Sequence, residues 1–204
     1  MDIYITLAVE DSLSEAVARK ILYQSDKNYH VTNCLGLKGS GYLKAKINSF
    51  NKAAKELPFL VLTDQDNGCP YDKIKEWLNY KAHSNLIFRI AVMEIESWVM
   101  ADRVAFSDFL SIPVSALPYK MDEIRDPKQF LLTRVRKSRS RNLVLDIVPG
   151  FGSTAKIGPN SNGRLSDFVR NRWDVHEAIK YSDSLYRAFQ KLQRFKQIHD
   201  KRTQ

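Results

Sequence analysis

The sequence predicts an α/β fold: a four-stranded parallel sheet in the order 2-1-3-4, flanked by helices, with a mainly helical C-terminal extension. Two observations carry this. Across the first hundred residues, short apolar runs alternate with segments of helical spacing, the pattern of strands joined by crossover helices. Beyond Asp102 the strand-like runs stop and helical patterns take over. Right-handed crossovers with a switch point between the first and third strands make 2-1-3-4 the natural order.

Ile3 to Val9 (IYITLAV) is a continuous apolar run, suited to a strand buried on both faces. Leu13, Val17 and Ile21 recur at helical spacing over Leu13 to Leu22. Tyr29 to Leu37 alternates as a second strand, and a helix follows from about Tyr42 to Lys55. Pro58 opens PFLVLT, a third strand ending at Asp64. Residues 71–80 read as helix, Asn85 to Met93 as a fourth strand, and Glu94 to Ala101 as the start of another helix. Asp126-Pro127 begins a helical stretch that runs into the basic segment KSRSR at 137–141. Residues 149–163 read as a loop holding four of the eight glycines. A last helix is capped by Ser182, with Leu185, Ala188, Phe189, Leu192 and Phe195 on one face and Arg187, Lys191 and Arg194 on the other. The expected division is an α/β core over 1–102 and a basic helical extension over 103–204, packed on that core.

A chain of 204 residues can bury a sizeable core. Its N-terminus lacks a basic leader region and its first apolar run stops at Glu10, so the reading is cytoplasmic, with no membrane association. Cys34 and Cys69 have no CxxC spacing and are read as reduced thiols. The net charge of +9 is unevenly placed. Residues 1–102 hold 12 Lys and Arg against 13 Asp and Glu, whereas residues 103–204 hold 20 against 10. All the excess positive charge is therefore in the second half, where it attracts polyanions such as nucleic acid through counterion release.

Acidic groups fall at the carboxyl ends of three predicted strands: Glu10, then Asp64 with Asp66, then Glu94 with Glu96. In an open parallel sheet these ends form the ligand crevice, so the carboxylates converge there and need a cation. Hard oxygen ligands without Cys or His support point to Mg²⁺ or Mn²⁺, one ion or two. Asp64 and Asp66, two apart, leave an extended backbone on the same side. Ser12-Leu13-Ser14-Glu15 also fits a capping box, so Glu15 is either a helix-start cap or a ligand. Trp98 shares a helical face with Ile95 and Val99 and is read as core. Lys137, Arg139 and Arg141 of KSRSR, and more weakly Lys156, are read as phosphate contacts, against the alternative of a solvated loop.

The order apolar strand, Val9-Glu10-x-x-x-Ser14-Glu15, then a strand ending Asp64-x-Asp66, resembles the Toprim domain of topoisomerases, bacterial primases and the overcoming-lysogenisation-defect nucleases. The segment Ala91 to Asp102 (AVMEIESWVMAD) and the Ser182-x-Ser184-Leu185 helix are similar to small stand-alone Toprim-like proteins encoded beside ATPases in bacterial defence loci. The resemblance implies a Toprim-like, Rossmann-like core. It implies catalytic roles for Glu10, Asp64 and Asp66, with Glu15 and Glu94 or Glu96 as further metal ligands. One departure is Asp11, where many such families have Gly. Asp tolerates left-handed backbone, so the turn is expected to survive.

The expected function is Mg²⁺-dependent hydrolysis of nucleic acid, DNA favoured over RNA, as the toxic effector of an anti-phage defence system with an ATPase partner; a homodimer is left open. The rivals are an RNA-processing Toprim nuclease, a non-catalytic nucleic-acid-binding or regulatory subunit, and a metal-dependent phosphatase on small phosphoesters.

Overall fold

The computed structural model of the protein describes residues 2–65 and 68–198. Its first half alternates β1 (Asp2–Val9), α1 (Ser12–Tyr23), β2 (Asn28–Gly36), α2 (Ser40–Ala53), β3 (Phe59–Asp64), α3 (Pro70–Trp77) and β4 (Leu86–Ala91). Helices α4 (Ile95–Ala101), α5 (Arg103–Leu110), α6 (Pro127–Val135), α7 (Arg141–Ile147), α8 (Ser161–Asn171), α9 (Val175–Ala178) and α10 (Asp183–Gln193) follow. The four strands form one all-parallel sheet in the order β2-β1-β3-β4, as the sequence predicts. Among the described residues no helix is long and apolar enough to cross a membrane.

Strand alternation sorts the apolar residues onto the two faces of this sheet. Ile3, Ile5, Leu7, Val9, Leu60, Leu62 and Ile87 belong to one apolar cluster, shared with α1, α4 and the later helices as far as Phe195. Ala8, Phe59, Val61, Leu86, Phe88 and Ile90 belong to the other, covered by Leu43, Ile47 and Phe50 of α2 and Trp77 of α3. Both faces are thus buried, which is why the strands read as near-continuous apolar runs.

Several boundaries differ from the sequence reading. Helix α3 ends at Trp77 rather than 80. Helix α8 starts at Ser161, so Gly163 lies inside a helix and not in the preceding loop. The first helix is capped by Asp11, whose Oδ1 accepts from the Ser14 amide at 2.8 Å, and not by Ser12. Asp11 has φ −151°, ordinary extended backbone, so no left-handed turn follows Glu10. Its Oδ2 accepts from Asn162 Nδ2 at 3.0 Å, tying the start of α1 to α8.

Gly36, at the end of β2, has φ +103°, and a Cβ built there would collide with the Val9 carbonyl. Gly36→Ala combines a disfavoured backbone with a steric clash that β1 cannot relieve without moving Glu10. It is expected to lower stability by about 2–4 kcal/mol, read from the midpoint of urea unfolding.

Candidate functional site

The order β2-β1-β3-β4 sets the carboxyl ends of β1 and β3 side by side, with β4 next. Glu10 follows β1 directly. Its Oε1 accepts from the Asp64 amide at 2.9 Å and from the Thr63 hydroxyl. Asp64, the last residue of β3, turns its Oδ1 to accept from the amide of Ile95, the first residue of α4, at 2.8 Å. Its own carbonyl accepts from Lys73 Nζ at 2.5 Å. The Val92–Met93 peptide after β4 is cis, and Glu94 is the N-terminal residue bordering α4. Glu96, in the first turn of α4, is buried.

Three of these carboxylates surround one ammonium. Lys128 Nζ lies 3.0 Å from Glu94 Oε1, 3.8 Å from Glu96 Oε1 and 3.9 Å from Asp64 Oδ2. Glu94 Oε2 also accepts from the Lys128 amide at 3.0 Å, so this side chain clamps the first turn of α6. Asp126 caps α6 through the Gln129 amide, and Pro127 occupies the first turn. That geometry aims Lys128 at the strand ends.

The electrostatics follow from burial and crowding. Burial, then the charges of Glu96 and Glu10, holds Asp64 well above the usual carboxylate range, although Lys128 and the Ile95 amide oppose this. Burial raises Glu96 to about 7, opposed by Lys128 and reinforced by Glu94 and Asp11. For Lys128, burial disfavours the charged form, but Glu96, Glu94 and Asp64 outweigh it and shift the ammonium upward. Glu96 Oε2 is buried and has no hydrogen-bond partner.

A group whose folded pKa is raised binds its proton more tightly folded than unfolded. It therefore stabilises the fold most at low pH, and that contribution is lost as pH rises from the ordinary value of 4.5 to about 7. Without divalent ions, the native protein is expected to lose on the order of 2 kcal/mol relative to Glu96→Gln across that window. Paired melting curves from pH 4.5 to 7.5 measure it. A constant difference in melting temperature would show that Glu96 keeps its ordinary acidity.

The remaining predicted site residues fall elsewhere or are not covered. Asp66 lies outside the described residues. Glu15 turns to Arg19, 2.8 Å away, on the exposed side of α1, and so forms neither the box expected at the helix start nor part of the Lys128 cluster. Lys137 and Arg139 are exposed on the segment joining α6 to α7, Arg141 is exposed at the first position of α7, and Lys156 is exposed in the loop before α8. Trp98 is buried, its Nε1 donating to Ser184 Oγ at 2.7 Å. Ser184 Oγ also accepts from the Val92 amide and donates to Asp122, so Ser182-x-Ser184 ties α10 to the segment leading into Glu94.

Sequence reasoning missed Lys128 and Thr63. A signal for Lys128 existed. A cation in the first turn of a helix opposes the helix dipole, so its presence there calls for an anionic partner. For Thr63, buried beneath Glu10, nothing local distinguishes it from any other strand residue.

Among the described residues no group of three or more His, Cys, Asp or Glu side chains is gathered to hold a metal ion, and Lys128 fills the space between the carboxylates. Comparison of the chain with family models, curated proteins and solved structures gives no match.

Proposed function

We propose that the strand-end carboxylates form the cation site of a Toprim-type, Mg²⁺-dependent nuclease, and that the basic second half grips the nucleic-acid backbone. The observation carrying this reading is the clustering of Asp64, Glu94 and Glu96 around one ammonium, with Glu10 adjoining Asp64. Four carboxylates gather where Lys128 supplies one positive charge; burial most of all, then Glu96 and Glu10 for Asp64 and Glu94 for Glu96, makes Asp64 and Glu96 weaker acids than usual. The donor set is all hard oxygen, and Glu96 Oε2 is a buried oxygen with no hydrogen-bond partner. The residues therefore suit Mg²⁺ or Mn²⁺ in chemistry, with Asp64, Glu94, Glu96 and Glu10 as the groups that would hold it and Asp66 as a further candidate.

When bound, the ion would activate water and stabilise the leaving oxygen of a phosphodiester. The chain's own residues do the rest. Thr63 and the Asp64 amide fix Glu10 through Oε1, which orients it to take a proton. Helix α6 spans nine residues, roughly 13 Å, between the carboxylate cluster and Lys137. A strand lying along α6 would thus meet the cation site and the basic segment together. DNA is favoured as substrate, and the anti-phage effector role with an ATPase partner belongs to the same reading.

Cleavage of plasmid, linear DNA and RNA, with Mg²⁺, Mn²⁺ or EDTA, tests the proposal. Metal-dependent scission of a polynucleotide is the expected result. Activity on none of them, with an ATPase partner present, would instead favour a binding subunit. Arg139→Ala with Arg141→Ala is expected to weaken binding and lower the salt slope by nearly two for duplex DNA. An unchanged slope would make 137–141 a solvated loop.

A further inference from the structure

Helix α10 has one buried and one exposed face. Leu185, Ala188, Phe189 and Leu192 are buried, while Tyr186, Arg187, Gln190, Lys191 and Arg194 line a shallow groove of about 430 Å³. Several exposed cations of the protein sit on nearby acids: Arg19 on Glu15, Lys44 on Glu76, Arg164 on Asp146, Arg170 on Asp167 and Lys180 on Glu177. Among the described residues Arg187, Lys191 and Arg194 form no ion pair. The single acid of α10, Asp183, acts on Lys120 instead.

Like charges three or four residues apart destabilise a helix by a few tenths of a kcal/mol per pair. Arg187 with Lys191, and Lys191 with Arg194, are two such pairs, and among the described residues no acid pairs with any of the three. The attraction of cations for the helix C-terminus accounts for Lys191 and Arg194 in the last turn, but not for Arg187 or for the aromatic beside it. Tyr186 keeps 45% of its surface exposed within this row of positive charge. Cations spaced over two turns, roughly 10 Å, with an exposed ring among them, match the chemistry of a polynucleotide strand: phosphates for the charges, a base for the ring. An anionic membrane fits less well, because the apolar residues of α10 are already spent on the core and leave no face to insert.

We propose that this face of α10 is a second nucleic-acid contact, binding a single strand through phosphates at Arg187, Lys191 and Arg194 and through a base stacked on Tyr186. The choice of polyanion rests on the nuclease reading, but the surface is independent of the carboxylate site.

The experiment is a titration of a labelled single-stranded oligonucleotide across a KCl series in EDTA, which removes cleavage from the readout. The triple variant Arg187→Ala, Lys191→Ala, Arg194→Ala should bind at least about tenfold more weakly at 0.1 M salt, with a salt slope lower by about two (0.7 per phosphate). Tyr186→Ala should weaken binding about tenfold and leave the slope unchanged, since it removes no charge. All four positions are exposed, so melting temperatures should hold, and a Gln triple variant repeats the test without shortening the side chains as far. Slopes and affinities equal to the native protein would overturn the proposal. So would a loss seen only with duplex DNA, or a loss confined to anionic vesicles. Metal-dependent cleavage that persists beside an unchanged slope would sink this surface and leave the proposed nuclease standing, whereas a supported slope without any cleavage would do the reverse.

Discussion

Asp64→Asn is expected to abolish metal-dependent cleavage, by roughly 100-fold or more, while the protein stays folded. Asn retains the shape and the acceptor that meets the Ile95 amide at 2.8 Å, so the start of α4 keeps its support. What it removes is a charge held under strain. Burial and the neighbouring Glu96 and Glu10 already push Asp64 toward its neutral form, so the substitution relieves repulsion and the melting temperature should hold or rise. Binding in EDTA should survive, because the backbone grip is assigned to the basic half. Cleavage assays, a melting curve and a titration on one preparation decide it. Full cleavage by the folded variant would place the chemistry away from Asp64.

Lys128→Met should act in the opposite sense on metal and on stability. Without divalent ions, three carboxylates lose the ammonium they face, and the fold should weaken by about 1–3 kcal/mol, the exposed part of Lys128 keeping the loss modest. With Mg²⁺ the variant no longer has a resident cation to displace. Calorimetry should then give a dissociation constant at least about tenfold lower than the native protein's. The rise in melting temperature on adding metal should grow to match. A stable variant with unchanged Mg²⁺ affinity would make Lys128 a structural clamp alone.

The sheet was legible because its signals are local. The apolar runs IYITLAV and PFLVLT lie between β-propensity and burial on both faces, and neither fits a helix stripe. Glu10, Asp64, Glu94 and Glu96 were legible as a set once the strands were placed, since a parallel sheet gathers its strand ends along one edge. Lys128 was not, because its partner positions are 32 and more residues away and only the packing of α6 against α4 brings them together. The cap at α1 failed for a smaller reason. Asp11 and Ser12 are adjacent and both are good caps, and the choice fell to Asp11, which also accepts from Asn162 of α8. Glu15 then had no box to complete and paired with Arg19 one turn on.

The apolar cluster that begins at Ile3 and ends at Phe195 bears on how this protein can be dissected. One face of the sheet is roofed by α2 and α3, but the other is roofed by α1 and α4 together with α10, with Leu185, Phe189 and Leu192 in the same apolar cluster as Leu7 and Leu60. A chain ended at Asp102 would bare that cluster to water and should aggregate rather than report on the acidic site alone. Hydrogen exchange should likewise find β1 and α10 opening together, at one free energy, instead of α10 fraying first. The acidic half and the basic half are separable by charge and by point substitution, but not by the knife.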